Sequence, residues 1–341
     1  MTKIDIFSGF LGAGKTTLIK KLIKEAYVGE KLVLIENEFG EIGIDGGFMQ
    51  DAGIEITEMN SGCICCSLVG DFSEALKKVL AEYAPDRILI EPSGVGKLSD
   101  VIRAVHDIHA DDVLLNTFTT VVDAKKCKMY MKNFGEFFGD QISHANAIVL
   151  SHTDGVDERK IEGAVALVRE HNANAAIITT PWDQLDGMQI LHAMEHKHTV
   201  SDVLADLIEE EDVCPTCGHH HHEHEHHHEH EHECGCGCHE HHHDHHHADD
   251  VFSSIGKETT RKYTKDELTS MVSALNDAAE YGLVLRAKGI VAGEDGKWLH
   301  FDYVPGEAEV RFGSADVIGK ICVIGTHINE EALLHLFKLG E

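Results

Sequence analysis

No run of about 18 apolar residues, the length a membrane-spanning helix needs, occurs in the 341-residue sequence. The N-terminus runs straight into MTKIDIFSGF, without the charged-then-apolar layout of a signal peptide. Membrane insertion and export are set aside on these grounds, and the expected location is the cytoplasm. Basic residues are scarce too: 29 Lys and Arg stand against 59 Asp and Glu, a formal charge of -30. Such a surface repels phosphate backbones and anionic lipids, so neither nucleic acid nor a membrane is an expected partner. Part of the deficit is local, because no Lys or Arg lies between Lys197 and Lys257. What is present is a 43% hydrophobic share, which fits a globular protein long enough for two cores.

From Lys3 to about Met194 short β-rich runs alternate with helical patterns, the signature of parallel βαβ units. Strands are expected at Ile4 to Phe7, Leu32 to Ile35, Ile54 to Glu58, Arg87 to Ile90, Thr119 to Val122, Ala147 to Leu150 and Ala175 to Ile178. The spacing of Ala75, Leu76, Val79, Leu80 and Tyr83 predicts a helix over Ser73 to Tyr83. The fold class read from this is α/β, an open, mostly parallel sheet covered by helices, over residues 1–200. Residues 201–257 form an acid-, histidine- and cysteine-rich linker, with 17 histidines between His219 and His247. With almost nothing apolar to bury, it is expected to lack a fold of its own without metal. Residues 258–341 read as a small α+β domain. It has helices at Lys265 to Ala278 and Asn329 to Phe337, and strands near Leu283 to Ile290, Trp298 to Tyr303, Glu309 to Phe312 and Ile321 to Ile324.

The sharpest motif follows the first strand: Gly9-Phe10-Leu11-Gly12-Ala13-Gly14-Lys15-Thr16 matches G-x-x-x-x-G-K-[ST] in a strand, loop, helix setting. Glycines let the backbone wrap a phosphate so that amides and the positive helix end face its oxygens. Gly9, Gly12, Gly14, Lys15, Thr16 and Thr17 are the expected nucleotide contacts, with Lys15 on the terminal phosphates and Thr16 on Mg²⁺. A strand-tip acid is needed for Mg²⁺ as well, and Arg87-Ile88-Leu89-Ile90-Glu91-Pro92-Ser93-Gly94 supplies Glu91. Gly94 can sense a γ-phosphate through its amide. The bland alternative makes Glu91 a cap for the helix near Val95.

The ten cysteines are bunched as Cys63, Cys65, Cys66 and as Cys214, Cys217, Cys234, Cys236, Cys238, with only Cys127 and Cys322 alone. Bunching in a reducing compartment favours metal ligation over disulfides. Three thiolates at Cys63, Cys65 and Cys66 suit Zn²⁺ or Cu(I) better than Mg²⁺ or Ca²⁺ and leave one coordination position open, an arrangement that favours transfer. Buried apolar cysteines are the competing reading. Cys214-Pro215-Thr216-Cys217 has the spacing of a zinc knuckle, and Cys234, Cys236 and Cys238 could complete it beside many imidazoles, which suits a reservoir. His106 and His109 are read as bystanders.

GFLGAGKTT, the run Glu36 to Asp45, Gly62-Cys63-Ile64-Cys65-Cys66 and EPSG occur in the order seen in CobW-type GTPases. The chain resembles that family, a class akin to the metal-delivery GTPases UreG and HypB, and LRAKGIV with the Trp298 to Tyr303 strand resembles its C-terminal domain. The resemblance implies an α/β fold of P-loop NTPase type for residues 1–200, slow GTP hydrolysis, and nucleotide-gated transfer of zinc, cobalt or nickel to a client metalloprotein. It assigns Glu91 to Mg²⁺ and places Asp45 in a nucleotide-responsive segment. A homodimer is left open. One departure is Ser151-His152-Thr153-Asp154 where the guanine-reading motif is N-K-x-D. Asp154 can still accept from the guanine ring NH and amino group, so GTP is expected, with ATP the alternative. Competing functions are a metal buffer with a regulatory nucleotide domain and a small-molecule P-loop kinase. No basic phosphate clamps of a kinase are legible.

Overall fold

The computed structural model describes residues 1–36, 55–58, 69–108, 113–195 and 251–339, with backbone alone at 55–58 and 69–75. Its first part alternates strands and helices throughout. β1 (Thr2–Ser8), α1 (Lys15–Glu25), β2 (Leu32–Glu36), β3 (Glu55–Glu58), α2 (Val69–Tyr83), β4 (Arg87–Glu91) and α3 (Leu98–His106) come first. β5 (Val113–Asp123), α4 (Cys127–Ser143), β6 (Ala147–Ser151), α5 (Glu158–His171), β7 (Ala176–Ile178) and α6 (Gly187–Met194) follow. The strand order is β3-β2-β4-β1-β5-β6-β7, and every pairing is parallel. Strands of such a sheet are buried on both faces and read as continuous apolar runs, as in Ile88-Leu89-Ile90.

Two layers of helices cover the sheet. Leu18, Ile19 and Leu22 of α1 and Ile190, Leu191 and Met194 of α6 pack on one face against Phe7, Leu34, Leu89, Val121 and Val149. Leu76 and Val79 of α2 join residues of α3, α4 and α5 on the other, against Ile6, Ile35, Ile90, Val122 and Leu150. Where β1 ends, its neighbours are β4 on one side and β5 on the other, the switch point at which open α/β sheets gather ligands. The opposite, amino ends are knotted by charge. Arg87 meets Asp5 and Glu30, and Glu195 accepts from Lys3 Nζ (2.9 Å) and Asn116 Nδ2 (2.9 Å) and lies 3.5 Å from Arg87. No helix among the described residues is long and apolar enough to cross a membrane.

The second part is a sheet ordered β12-β11-β10-β13-β8. It comprises β8 (Ser253–Thr259), β10 (Leu283–Gly293), β11 (Trp298–Val304), β12 (Glu307–Gly313) and β13 (Gly319–Thr326), paired antiparallel, with the short β9 (Lys262–Tyr263) parallel to β10. α7 (Lys265–Ala274), α8 (Ala278–Tyr281) and α9 (Glu330–Leu336) complete the α+β unit. Residues 253–257, which composition assigns to the linker, belong to this sheet: β8 holds only Ile255 as an apolar anchor, and its pairing with β13 makes it a strand. The helix expected to reach Ala278 ends at Ala274, because Asp277 accepts from Ala279 N and starts α8 instead.

One face of this sheet is covered by its own helices, with Leu268, Met271, Val272 and Leu333 over Val284, Ala287, Val291 and Phe301. The other face lies on the first domain. Leu285, Cys322 and Ile324 share one core with Phe10, Leu11, Phe134 and Phe137, and Phe252 is inserted among them. Phe252 lies 6.2, 5.5 and 5.2 Å from Phe10, Phe134 and Phe137, centroid to centroid. Aromatic pairs at such distances contribute about 0.5 to 1.5 kcal/mol each beyond their burial.

Candidate functional site

The turn after β1 is built by glycine at the positions where nothing larger fits. Gly9 has φ +138, and a Cβ there would stand 2.3 Å from Val121 O. Gly14, the N-cap of α1, is left-handed at φ 99, so the first helical amides open toward the loop. No acid stands in the first turn of α1 to compete for them. Lys15 is buried, its Nζ 2.9 Å from Gly9 O and 4.0 Å from Glu91 Oε1. Thr16 Oγ1 donates to Glu91, 3.1 Å from each carboxylate oxygen. The parallel register of β4 with β1 brings Glu91 there, since it pairs Ile6 with Ile90 and leaves the next residue at the mouth of the phosphate loop.

Gly12, Gly14, Lys15, Thr16, Thr17 and Glu91 line one cavity of about 390 Å³. A hydroxyl beside a carboxylate is an oxygen donor set that fits Mg²⁺, and a lysine with a helix N-terminus fits phosphate. Gly9 and Gly94 are not among its lining residues. Gly94 is buried where a Cβ would meet Leu11 N at 2.9 Å, and its carbonyl accepts from Gln141 Nε2 at 3.2 Å. Asp154 is exposed in the turn after β6 and does not line the cavity, whereas its neighbour His152, left-handed at φ 53, does. Asp45, Cys63, Cys65, Cys66, Cys214, Cys217, Cys234, Cys236 and Cys238 lie outside the described residues, as does His109. Among the described residues no cluster of three His, Cys, Asp or Glu is placed to hold a metal. The two solitary cysteines are buried, and burial beside Asp123 pushes the Cys127 thiol up to about 12, which leaves it protonated and inert.

Several residues that motif reading passes over complete the surroundings. Trp182 donates to Leu150 O at 3.0 Å and lies against Gly14, closing the phosphate loop on the β6 side. Asp123, buried at the tip of β5, accepts from the amides of Lys125 and Lys126 and lies 4.0 Å from His152. The far wall of the cavity comes from the second domain: Arg286, Asp302, Tyr303, Val304, Glu307, Ala308 and Glu309. An acid at the tip of a strand was a usable signal for Asp123. Arg286 sits in the LRAKGIV run, but nothing local to it or to Val304 points to the phosphate loop, which both reach by domain packing.

The family model for the CobW/HypB/UreG nucleotide-binding domain matches residues 3–179, more than half of the chain. Among curated proteins, the chain is similar to the zinc chaperone YeiR of Escherichia coli, 28% identical over 61% of this chain and 67% of that one. It is similar to the zinc chaperone YjiA of the same organism, 31% identical over 54% of this chain and 58% of that one. The zinc chaperone CobW of a Sinorhizobium species is 35% identical over 45% of this chain and 51% of its own length. The chain thus spans between about half and two thirds of these relatives.

Proposed function

The chain belongs to the CobW/HypB/UreG family through its nucleotide-binding domain, and on that premise we propose that it is a GTP-hydrolysing metallochaperone. In this reading it binds zinc, or cobalt or nickel, and passes the ion to a client metalloprotein in the cytoplasm under control of the bound nucleotide. The convergence of Lys15, Thr16 and Glu91 on one cavity at the switch point of the sheet carries the proposal. The amides of the loop and of the first turn of α1 hold the phosphate oxygens, and Lys15 leaves Gly9 O and Glu91 for the terminal phosphates. Thr16 and Glu91 would hold Mg²⁺, which would supply charge neutralisation at the phosphates. Asp154 reads guanine from the turn after β6, and Asp45 lies in the nucleotide-responsive segment. Cys63, Cys65 and Cys66 form the transfer site, and the tract with Cys214, Cys217, Cys234, Cys236 and Cys238 is the reservoir. The zinc assignment is supported by the names of the relatives and by the thiolate and imidazole content of those segments.

The test is phosphate release with GTP and Mg²⁺. Lys15→Ala is expected to abolish hydrolysis and leave metal capacity nearly unchanged, while Asp154→Ala erases a preference for GTP over ATP in calorimetry. Full hydrolysis by Lys15→Ala would remove the phosphate-loop assignment.

A further inference from the structure

Strict alternation along β10 would put Val284 and Arg286 on one face, and Leu285 and Ala287 on the other. The structure departs from this. Val284 and Ala287 both lie in the core of the second domain, while Leu285 lies in the core shared between domains. The cause is a register shift against β13: Val284 pairs with Gly325 and Arg286 with Ile324, so Leu285 and Arg286 together oppose one residue. This bulge turns Arg286 toward the phosphate loop, as bulges re-aim side chains beside functional sites. Arg286 is half-buried and lines the cavity that holds Lys15, Thr16 and Glu91. It also lines an adjoining cavity of about 210 Å³ with Thr16, Thr17 and Lys20. Its charge is felt at Tyr130, whose hydroxyl donates to Leu11 O in the phosphate loop.

The other charges of this wall are matched. Arg311 lies 2.7 Å from Asp302 and 3.5 Å from Glu309, and Lys126 lies 3.8 Å from Glu307. Beyond its backbone place in the ladder with β13, the Arg286 side chain makes no ion pair or hydrogen bond with another described residue. A half-buried guanidinium costs free energy unless an anion meets it, and a cavity floored by a phosphate loop specifies which anion.

We propose that Arg286 is a catalytic residue of GTP hydrolysis, delivered by the C-terminal sheet onto the terminal phosphates, so that the catalytic site is shared between the two domains. The proposal rests on the GTPase reading above. In the reaction a water oxygen bonds to the γ-phosphorus and the bond to the β,γ-bridging oxygen breaks. The electron pair leaves with GDP, and a proton is released with inorganic phosphate. Arg286 keeps its proton throughout. Its planar fork stabilises charge spread over the bridging and γ oxygens, a task for which a lysine's point charge is a poor substitute.

The experiment uses the full chain with Mg²⁺, single-turnover GTP hydrolysis, and GDP binding with and without aluminium fluoride. Arg286→Ala is expected to lower the single-turnover rate by about a thousandfold or more, the lower edge of what such arginines contribute. GDP affinity should change by less than about threefold, whereas the extra tightening by aluminium fluoride should vanish. Arg286→Lys should recover less than about a tenth of the lost rate. Arg286→Gln, which keeps donors without charge, replaces the alanine variant if that one melts below assay temperature. Hydrolysis at the unmodified rate, or equal weakening of GTP and GDP with the saturated rate intact, overturns the proposal. Retained hydrolysis in Lys15→Ala is a different failure, that of the site assignment itself.

Discussion

Gly12 shows how one residue can register the approach of two domains. Its φ is +73, and a Cβ there would stand 2.4 Å from Val304 Cγ1 on the second domain. Two penalties are therefore combined at this position, a backbone one internal to the loop and a steric one across the interface. Gly12→Ala is expected to lower stability by about 1 to 3 kcal/mol through the backbone alone, the range for a strained non-glycine backbone, with the steric share added to that. Val304→Ala in the same chain should return the steric share and leave the backbone share, a coupling read from urea unfolding of the four proteins of the cycle. The phosphate-loop glycines were legible in the sequence because the phosphate motif is local: eight consecutive residues carry both the geometry and its reason. Lys15, Thr16 and Glu91 were legible on the same ground, since a strand tip and a helix start can be read from short patterns. Arg286 was not, because its placement depends on a one-residue register shift with a strand some forty residues away in sequence.

Helix α4 contributes an anion to the start of α3. Asp140 accepts from Ser99 N at 3.1 Å and Ser99 Oγ at 2.7 Å, and His144 Nδ1 lies 3.1 Å away. A carboxylate at a helix N-terminus satisfies otherwise unpaired amides and meets the positive end of the helix. Burial alone would raise the Asp140 pKa, but the bonds from His144 and Ser99 outweigh it and hold the carboxyl below the usual range. Since the folded value lies under the unfolded one, the stability it contributes is present above about pH 4 and is lost as pH falls through the folded value. Asp140→Asn should melt earlier than the unmodified protein at pH 7, and the gap in Tm should close on acidification below about pH 4. A gap that stays constant to pH 2.5 would remove this account. At this scale the sequence was read well where elements are periodic and poorly where partners impose them. The strands of the parallel sheet announce themselves as apolar runs. β5 begins earlier than its apolar centre suggests, and β8 is a strand only because β13 lies beside it.

Across the whole molecule, nucleotide and metal chemistry meet at one end of one sheet if the proposed function holds. Linkage then requires reciprocity: whatever factor a non-hydrolysable GTP analogue adds to zinc affinity over GDP, zinc must add to the preference for that analogue. The measurement is a competitive zinc titration of the chain lacking Cys214 to His247, in both nucleotide states and again with Cys65→Ser. Deletion should leave about one metal equivalent and intact hydrolysis. Identical zinc affinities in the two states would reduce the molecule to two independent sites. The nearest described residues on either side of the histidine tract, Glu195 and Phe252, lie at opposite ends of the parallel sheet. Glu195 is held at the amino ends of β1, β4 and β5 by Lys3, Arg87 and Asn116, while Phe252 is held at the carboxyl end against Phe10 of the phosphate loop. Any ion passed from the tract to the phosphate-loop end of the same chain therefore moves by a first-order process, and its rate is unaltered when the protein is diluted.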